Sequence, residues 1–281
     1  METPQSVSVK LICALSLLTA GLIALLYFKP GKERAPEYSI FNLTADAVAK
    51  VGIERPGMGA VALGLRDGKW RMSTPFEARA DVAQVENLLS LLNAKSSVRY
   101  AQTELARFDL EQPLVKIKIN DQEILFGGIN PVSGEQYVAT QSHVYLISPR
   151  YGSAAQLESW VSRKLLAEDE QPVRFEFPAF SVSKSEVKWS LAPQTNELSQ
   201  QDFIVWLNRW RLAMSLATTP STSAHGAPVK ITLANGREIP LFVIEKESEV
   251  LLVRQDEKLQ YAFSLAVAKP LIQPPQASAP K

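Results

Sequence analysis

The stretch from residue 114 to residue 148 decides the fold, because the chain uses its pattern twice. It reads LVKIKINDQEILFGG at 114–128 and EQYVATQSHVYLIS at 135–148. The pattern returns as PVKITLANGREIPLF at 228–242 and EVLLVRQDEKLQYAFS at 249–264. Alternating apolar and polar residues predict half-buried strands, and Asn-Asp or Asn-Gly between two such runs predicts a hairpin. Each copy therefore predicts a four-stranded antiparallel meander.

A hairpin and a helix precede the meander in each copy. In the first copy, Asp67-Gly68 predicts a type I′ hairpin turn, Asp81 can cap a helix, and apolar residues recur at helical spacing from Val82 to Leu92. In the second copy, Ser199 takes the capping position. The apolar stripe that follows it comprises Phe203, Trp206, Leu207, Trp210 and Met214. Each helix is expected to cover one face of its sheet.

The segment between the two copies predicts a helix at Tyr151–Leu166 and then a boundary. The expected buried side of that helix comprises Ala155, Leu157, Trp160, Val161 and Leu165, and the acidic run 168–170 follows it. The predicted fold class is α+β: an N-terminal transmembrane helix, then two tandem repeats of mainly antiparallel sheet, each with a packed amphipathic helix. The predicted domains are an anchor and linker at 1–37, a first repeat at 38–170, a second repeat at 171–273 and a disordered tail at 274–281. Pairing between the repeats would cover an exposed sheet edge.

The N-terminal run LICALSLLTAGLIALLYF, from Leu11 to Phe28, predicts a membrane anchor. It has 18 residues and no charge. As a helix it would be about 27 Å long, close to the thickness of the hydrocarbon core of a bilayer. No small-x-small cleavage site follows Leu26, so we expect an uncleaved single span with Tyr27 and Phe28 at the interface. A buried core helix is the alternative, which the all-round apolar composition and the polar linker disfavour.

Composition and motifs exclude several classes of function. The net charge of +1 gives no basic surface for nucleic acid. Cys13, the single cysteine, lies in the apolar run, so the body has no disulfide framework, cysteine nucleophile or cysteine-based metal site. His143 and His225 have no Cys, Asp or Glu at ligand spacing, and neither a G-x-S-x-G elbow nor a Walker loop occurs. We therefore predict no catalytic, cofactor-binding or metal-binding residues.

One aromatic stripe is a candidate for binding a partner. Phe203, Trp206 and Trp210 could form an exposed docking stripe on the second helix. The competing interpretation is the core face of that helix, because Leu207 and Met214 extend the same stripe. Pro240, inside a strand pattern, predicts an edge strand to which another chain could add.

Several short motifs recur along the body: Trp70 with Pro75 before the helix, the run Phe108 to Pro113, Phe126-Gly127, Gly134, Tyr137-Val138 and Val144-Tyr145-Leu146. Together these motifs resemble the family called domain of unknown function 4340. Asp109 stands where the family usually has glycine, so the local turn would differ if that position needs a positive φ. The resemblance implies a bacterial protein with one N-terminal span and a tandem extracytoplasmic domain. Some members are similar to companions of ABC-type and gliding-motility transport components, and the family assigns no catalytic residues.

The flanking charges and the resemblance disagree on topology. Lys10 precedes the apolar run, whereas Lys29, Lys32 and Arg34 follow it, which by the positive-inside rule alone would leave the body in the cytoplasm. Long C-terminal domains often translocate regardless of charge, and the resemblance implies an extracytoplasmic body. The expected location is therefore the bacterial inner membrane, with a single pass and the body in the periplasm.

These observations together predict a protein that binds and does not catalyse. The expected function is a membrane-anchored binding, scaffold or accessory module of the envelope. Its expected partners are the lipid bilayer, through residues 11–28, and other envelope or membrane proteins. The alternatives are an accessory subunit of an ABC-type transport system and an envelope hydrolase.

Overall fold

The computed structural model describes residues 4–28, 36–156, 159–194 and 197–277. Within the first helix, the described side chains are those of residues 12–24. In the described part of the chain, no helix has both the length and the apolar composition that crossing a membrane requires. The side chains of Leu11, Leu26, Tyr27 and Phe28, predicted as part of an anchor, lie outside the described residues.

The described chain contains five α-helices and nineteen strands. The helices are α1 (Pro4–Phe28), α2 (Val82–Leu89), α3 (Arg150–Ala154), α4 (Gln200–Leu212) and α5 (Leu265–Ile272). The strands of the first half are β1 (Tyr38–Ser39), β2 (Lys50–Arg55), β3 (Met58–Arg66), β4 (Lys69–Thr74), β5 (Ala78–Arg79), β6 (Lys95–Ser96), β7 (Arg99–Ala101), β8 (Val115–Ile119), β9 (Gln122–Ile129), β10 (Gln136–Ala139) and β11 (His143–Ile147). Those of the second half are β12 (Pro172–Glu176), β13 (Ser181–Ser185), β14 (Lys188–Ala192), β15 (Ala217–Pro220), β16 (Ala227–Leu233), β17 (Glu238–Glu245), β18 (Glu249–Arg254) and β19 (Leu259–Ser264).

Two large sheets follow the same order of connections. The first sheet has the strand order β5-β4-β3-β2-β8-β9-β10-β11-β7, and the second has β14-β13-β12-β16-β17-β18-β19-β15. In each, a three-stranded run (β2–β4 or β12–β14) precedes the main helix (α2 or α4), and a four-stranded meander (β8–β11 or β16–β19) follows. The strand between helix and meander, β7 or β15, pairs with the last meander strand. All described pairs are antiparallel, so the expected α+β class with mainly antiparallel sheets is confirmed.

The turns follow the local sequence. Asp67 and Gly68 both have positive φ, 51° and 72°, as the predicted type I′ turn requires. Asp109 adopts the left-handed conformation, with φ 56° and ψ 32°, so this position keeps a turn that suits glycine. Pro240 does not lie on an edge strand: β17 pairs with β16 on one side and β18 on the other. The carbonyl of Pro240 accepts the N–H of Gln255, one residue beyond the last β17–β18 pair, Leu241 with Arg254. Proline has no N–H to donate, and the hydrogen bond that it cannot make lies at this end of the β17–β18 ladder.

The main helices begin at the expected caps. The Asp81 side chain accepts the N–H of Gln84 at 3.3 Å. Ser199 and Asp202 form a capping box at the start of α4, each side chain accepting the backbone N–H of the other. α5, which begins directly after β19 and contains Pro270, was not predicted from the sequence. Pro275 is buried, so the chain is packed for at least two residues into the segment predicted as a disordered tail, while residues 278–281 lie outside the described part.

The predicted helix at Tyr151–Leu166 is wrong for the described residues beyond Ala154, where α3 ends. Residues 160–165 are extended and form a connector between the two sheets. On one side, the N–H of Asp81 donates to Trp160 O at 2.8 Å, continuing the edge strand β5. On the other side, the N–H of Ser215 donates to Arg163 O at 2.8 Å, just before the edge strand β15. Two open strand edges offer the connector more backbone hydrogen bonds than one isolated helical turn does, so it is extended.

One apolar core runs through both sheets. It contains the inward side chains of both meanders, the buried faces of α2 and α4, and the connector residues Trp160, Val161 and Leu165. A second, smaller cluster lies on the outer face of the first sheet, where Phe108 and Leu110 cover Ala139 and Val144. The connector is therefore part of the core that both sheets share.

Candidate functional site

The predicted docking stripe is buried. Phe203, Trp206 and Trp210 are 3%, 1% and 0% exposed. Trp206 and Trp210 pack against Phe175 of β12, with ring centroids 4.8 and 5.0 Å apart. A docking role for the three side chains is corrected to a core role, because the aromatic rings are used to hold α4 on the second sheet.

The histidines are placed apart. His143 begins β11 and is half-buried near Tyr145, whereas His225 is exposed in the loop before β16. In the described residues, neither imidazole hydrogen-bonds to a serine or a carboxylate, and no three His, Cys, Asp or Glu side chains gather as a metal site requires. These positions do not bring together the triad that a hydrolase would need.

The surface of α4 beside the buried stripe lines a groove of about 310 Å³. Four residues at helical spacing form one wall: Ile204, Leu207, Asn208 and Arg211. Trp189 of β14 and the start of β12 at Gln171 and Pro172 form the other. Ile204 is 45% exposed, so an apolar side chain of the groove is open to solvent. This surface, the α4 groove, combines the apolar side chains of Ile204, Leu207 and Trp189 with the polar groups of Gln171, Asn208 and Arg211.

The edge of the second sheet beside the α4 groove is closed by a side chain. The Gln200 amide accepts the N–H of Trp189 at 2.8 Å and donates to the carbonyl of Trp189 at 3.0 Å. A neighbouring strand would make the same two bonds. Gln200 therefore satisfies part of the β14 edge where another strand could pair.

A cluster of buried charges joins the connector to both sheets. Arg79 of β5 donates to the carbonyls of Lys164 and Leu165 at 2.6 and 3.1 Å. It also donates to Glu257 Oε1 at 2.7 Å and to the Tyr261 hydroxyl at 2.9 Å. One guanidinium from the first sheet thus binds the connector and the β18–β19 hairpin of the second.

The second guanidinium of the cluster belongs to Arg254, which is fully buried. It donates to Glu170 Oε2 and Oε1 at 2.8 and 2.9 Å, and to the Leu165 carbonyl at 2.8 Å. It also donates to both oxygens of Asp256, at 3.1 and 2.7 Å. Arg237 contacts Glu170 from the more exposed side. Such two-pronged pairing is the strongest form of ion pair in proteins.

The charges of the cluster shift its pKa values in opposite directions. Burial raises the pKa of Glu170, but the hydrogen bonds and charge of Arg254 outweigh it and bring that pKa down to about 2. Burial raises the pKa of Tyr261, and its hydrogen bond to Glu257 adds to this. Burial lowers the pKa of Arg254, but Glu170 and Asp256 reverse the effect, so the net shift is upward. The Glu170 carboxylate is therefore charged near neutral pH, and it is paired with the charged guanidinium of Arg254.

Sequence reasoning missed this cluster. The acidic run 168–170 was interpreted only as a boundary, yet Glu170 is 5% exposed. A signal did exist, since Arg254 ends a strand whose preceding four residues are all buried and apolar. Arg254 lies 84 positions from Glu170, and Arg79 lies 178 positions from Glu257, so no local pattern links these two pairs.

A family model described as Domain of unknown function (DUF4340) matches residues 70–224. No curated protein matches the chain, and no solved structure does.

Proposed function

Because the chain belongs to the family of domain of unknown function 4340, which carries no assigned activity, we propose a function from its geometry. The protein is a membrane-anchored, non-catalytic scaffold or binding module of the bacterial envelope. Its body is two copies of one sheet-and-helix unit, held in a fixed arrangement. The shared order of connections in the two sheets supports the interpretation as two copies.

The observation that carries this proposal is the way the two sheets are joined. The connector is hydrogen-bonded to β5 on one side and to the start of β15 on the other. Arg79 and Arg254 then donate hydrogen bonds to the connector carbonyls of Lys164 and Leu165, and they form buried ion pairs with Glu257 and Glu170. A body joined through its core and its sheet edges keeps its surfaces at constant spacing, as a scaffold must.

The described side chains of α1 support the anchor. Residues 12–24 are all exposed. The large apolar ones are between 53% and 75% exposed: Ile12, Leu15, Leu17, Leu18, Leu22 and Ile23. Apolar side chains exposed on every side of a helix are stabilised by lipid rather than by water. We propose that the run 11–28 crosses the inner membrane and leaves the body in the periplasm.

Reporter fusions test the proposed topology. Alkaline phosphatase, which is active only outside the cytoplasm, and a fluorescent protein that matures inside it are each fused after Lys281. We expect phosphatase activity without fluorescence, and removal of residues 1–37 should release the body from membranes. Fluorescence without phosphatase activity would place the body in the cytoplasm and refute the proposed topology.

Crosslinking in intact membranes, followed by purification of the full chain, tests the binding role. We expect envelope or membrane proteins among the crosslinked species. Recovery of the subunits of one ABC-type transporter would make the accessory role the specific form of the proposal. A chain that forms no crosslinks above those of a membrane-anchored control protein would refute a scaffold function.

A further inference from the structure

We propose that the α4 groove binds an extended, acidic peptide segment that carries a large apolar side chain. This inference deepens the proposed function and rests on it, because it names the surface through which a binding module would hold its partner. Three features of the groove lead to this choice of ligand: its apolar floor, the positive charge of Arg211, and the side-chain amides of Gln171 and Asn208.

The floor of the α4 groove takes an apolar side chain. Four residues of α4 face the groove, because Leu207, Asn208 and Arg211 lie three, four and seven positions after Ile204. Trp189 faces them from β14. A volume of about 310 Å³ is at the low end of ligand sites, roughly 300–1,000 Å³. This volume can hold one or two side chains of a partner. Their entry would remove the exposed apolar surface of Ile204 from water, which favours binding.

The charge of the α4 groove selects an acidic partner. Arg211 is the one charged residue among those that line it. Within the described part of the chain, Arg211 forms no ion pair, whereas Arg174 and Lys230 on the second sheet are both paired with Glu176. The Arg211 guanidinium can therefore pair with a carboxylate of the partner, and the apolar floor beside it can contact a neighbouring apolar side chain of the same partner.

The amides on the rim favour a peptide. Gln171 and Asn208 each present a donor and an acceptor, which is the pair of groups that a peptide unit requires. The neighbouring Gln200 makes this pairing with the backbone of Trp189. A second hollow, of about 340 Å³, shares Gln171 and is also lined by Leu233, Ala234 and Asn235. A partner chain can therefore extend beyond the first side-chain site while keeping its backbone groups satisfied.

The acidic residue of the second hollow does not oppose this ligand. Asp169 lines that hollow, and its carboxylate is paired with Lys69 of the first sheet at 2.6 Å. The hydrogen bond from Lys69 lowers the pKa of Asp169. The negative charge is thus compensated on the protein, and Arg211 remains the charge that the partner meets.

An unbiased peptide selection tests the proposal. The full chain, held in lipid nanodiscs, is used to select from a display library of random peptides, and enriched peptides are synthesised with a fluorescent label. We expect sequences that combine acidic residues with a large apolar one. Their affinity, measured by fluorescence anisotropy, should fall about five- to tenfold in Arg211→Glu, because an attraction becomes a repulsion at the surface. Ile204→Glu should cause a similar loss.

Two matched variants control for nonspecific effects. Arg209→Glu reverses an exposed charge on the same helix, and Leu212→Glu replaces an apolar side chain that is 75% exposed; neither lines the groove. Both should bind the peptides as the unchanged protein does. Circular dichroism checks the fold of each variant, and Arg211→Gln gives a milder change with a smaller loss if the reversal unfolds the chain.

Three outcomes overturn the proposal. The selected peptides could lack acidic residues, or their affinity could be equal in Arg211→Glu and Arg209→Glu. Alternatively, vesicles of anionic phospholipid could bind in an Arg211-dependent manner while no peptide does, which would assign the α4 groove to lipid. The selection does not depend on the side of the membrane, so a failed topology test and a failed groove test are distinguishable.

Discussion

Replacing Arg254 with methionine should destabilise the protein more than any surface charge change. The substitution removes all donors of a guanidinium that holds Glu170, Asp256 and the Leu165 carbonyl, while keeping an unbranched apolar chain of similar volume. Breaking a buried ion pair by removing one partner costs about 3–5 kcal/mol, because the other charge stays buried. Glu170 keeps the N–H of Ala167 and the contact with Arg237, so we expect the lower end, about 3 kcal/mol.

Unfolding of the full chain in a mild detergent measures this cost. Urea unfolding, followed by tryptophan fluorescence, gives the free energy, and a thermal scan should show a decrease in Tm of about 6–12 °C for a chain of this size. Arg174→Met is the matched control, since the Arg174 side chain is 52% exposed and pairs with Glu176 on the sheet surface. The control should leave the urea midpoint unchanged within error.

A double-mutant cycle decides whether the ion pair itself is responsible. Arg254→Met leaves the Glu170 carboxylate buried without its main partner. Adding Glu170→Gln removes that negative charge, so the double mutant should lose less free energy of unfolding than the two single mutants together. The coupling free energy should be about 2 kcal/mol, near the upper part of the range for residues in one network. Single substitutions whose effects simply add, with a coupling below about 0.5 kcal/mol, would contradict the role given to the buried cluster.

Three further perturbations test other parts of the fold. The pKa of Glu170 is about 2 in the folded chain, against an ordinary 4.5. The ionised carboxylate therefore contributes about 3 kcal/mol to the free energy of unfolding above pH 4.5, and this contribution is lost as the pH falls toward 2. When unfolding is measured against decreasing pH, Glu170→Gln should not show this loss. Gly127→Ala would place a methyl group against the Phe108 carbonyl oxygen and the Leu110 side chain. It should lower the free energy of unfolding in urea by about 1–3 kcal/mol. Gly59→Ala, which has open space around the new methyl group, should leave this free energy unchanged. Gln200→Ala uncovers the β14 edge and should increase self-association in light scattering, and equal scattering from Gln201→Ala would refute that role.

The strands and main helices could be predicted because their signals are local. Alternation in β8 and β9, and again in β16 and β17, corresponds to side chains that are in turn buried and exposed. Positive φ at Asp67-Gly68 is a property of the turn itself. The capping box at Ser199 is complete within four residues. Neighbouring residues alone decide each of these features, so one sequence is enough to infer them.

The connector shows where local patterns fail. Trp160, Val161 and Leu165 have the spacing of a helical stripe, and the structure does bury them, at 1%, 4% and 0% exposure. They are buried in an extended segment, because the edges at β5 and before β15 supply backbone partners that no local window contains. The sequence predicted which residues enter the core, and the tertiary structure decided their conformation.

The sequence by itself determined two sheet-and-helix patterns in order, the turns that close their hairpins, and the residues that cap their helices. Only the tertiary structure decided that Phe203, Trp206 and Trp210 face the core while Ile204 and Arg211 line a groove. It also brought Arg79 and Arg254 to carboxylates far away in the chain. The physical reason is range: a turn or a cap is a balance among adjacent residues, whereas a shared core, a buried ion pair and a binding surface form only when distant segments exclude water together.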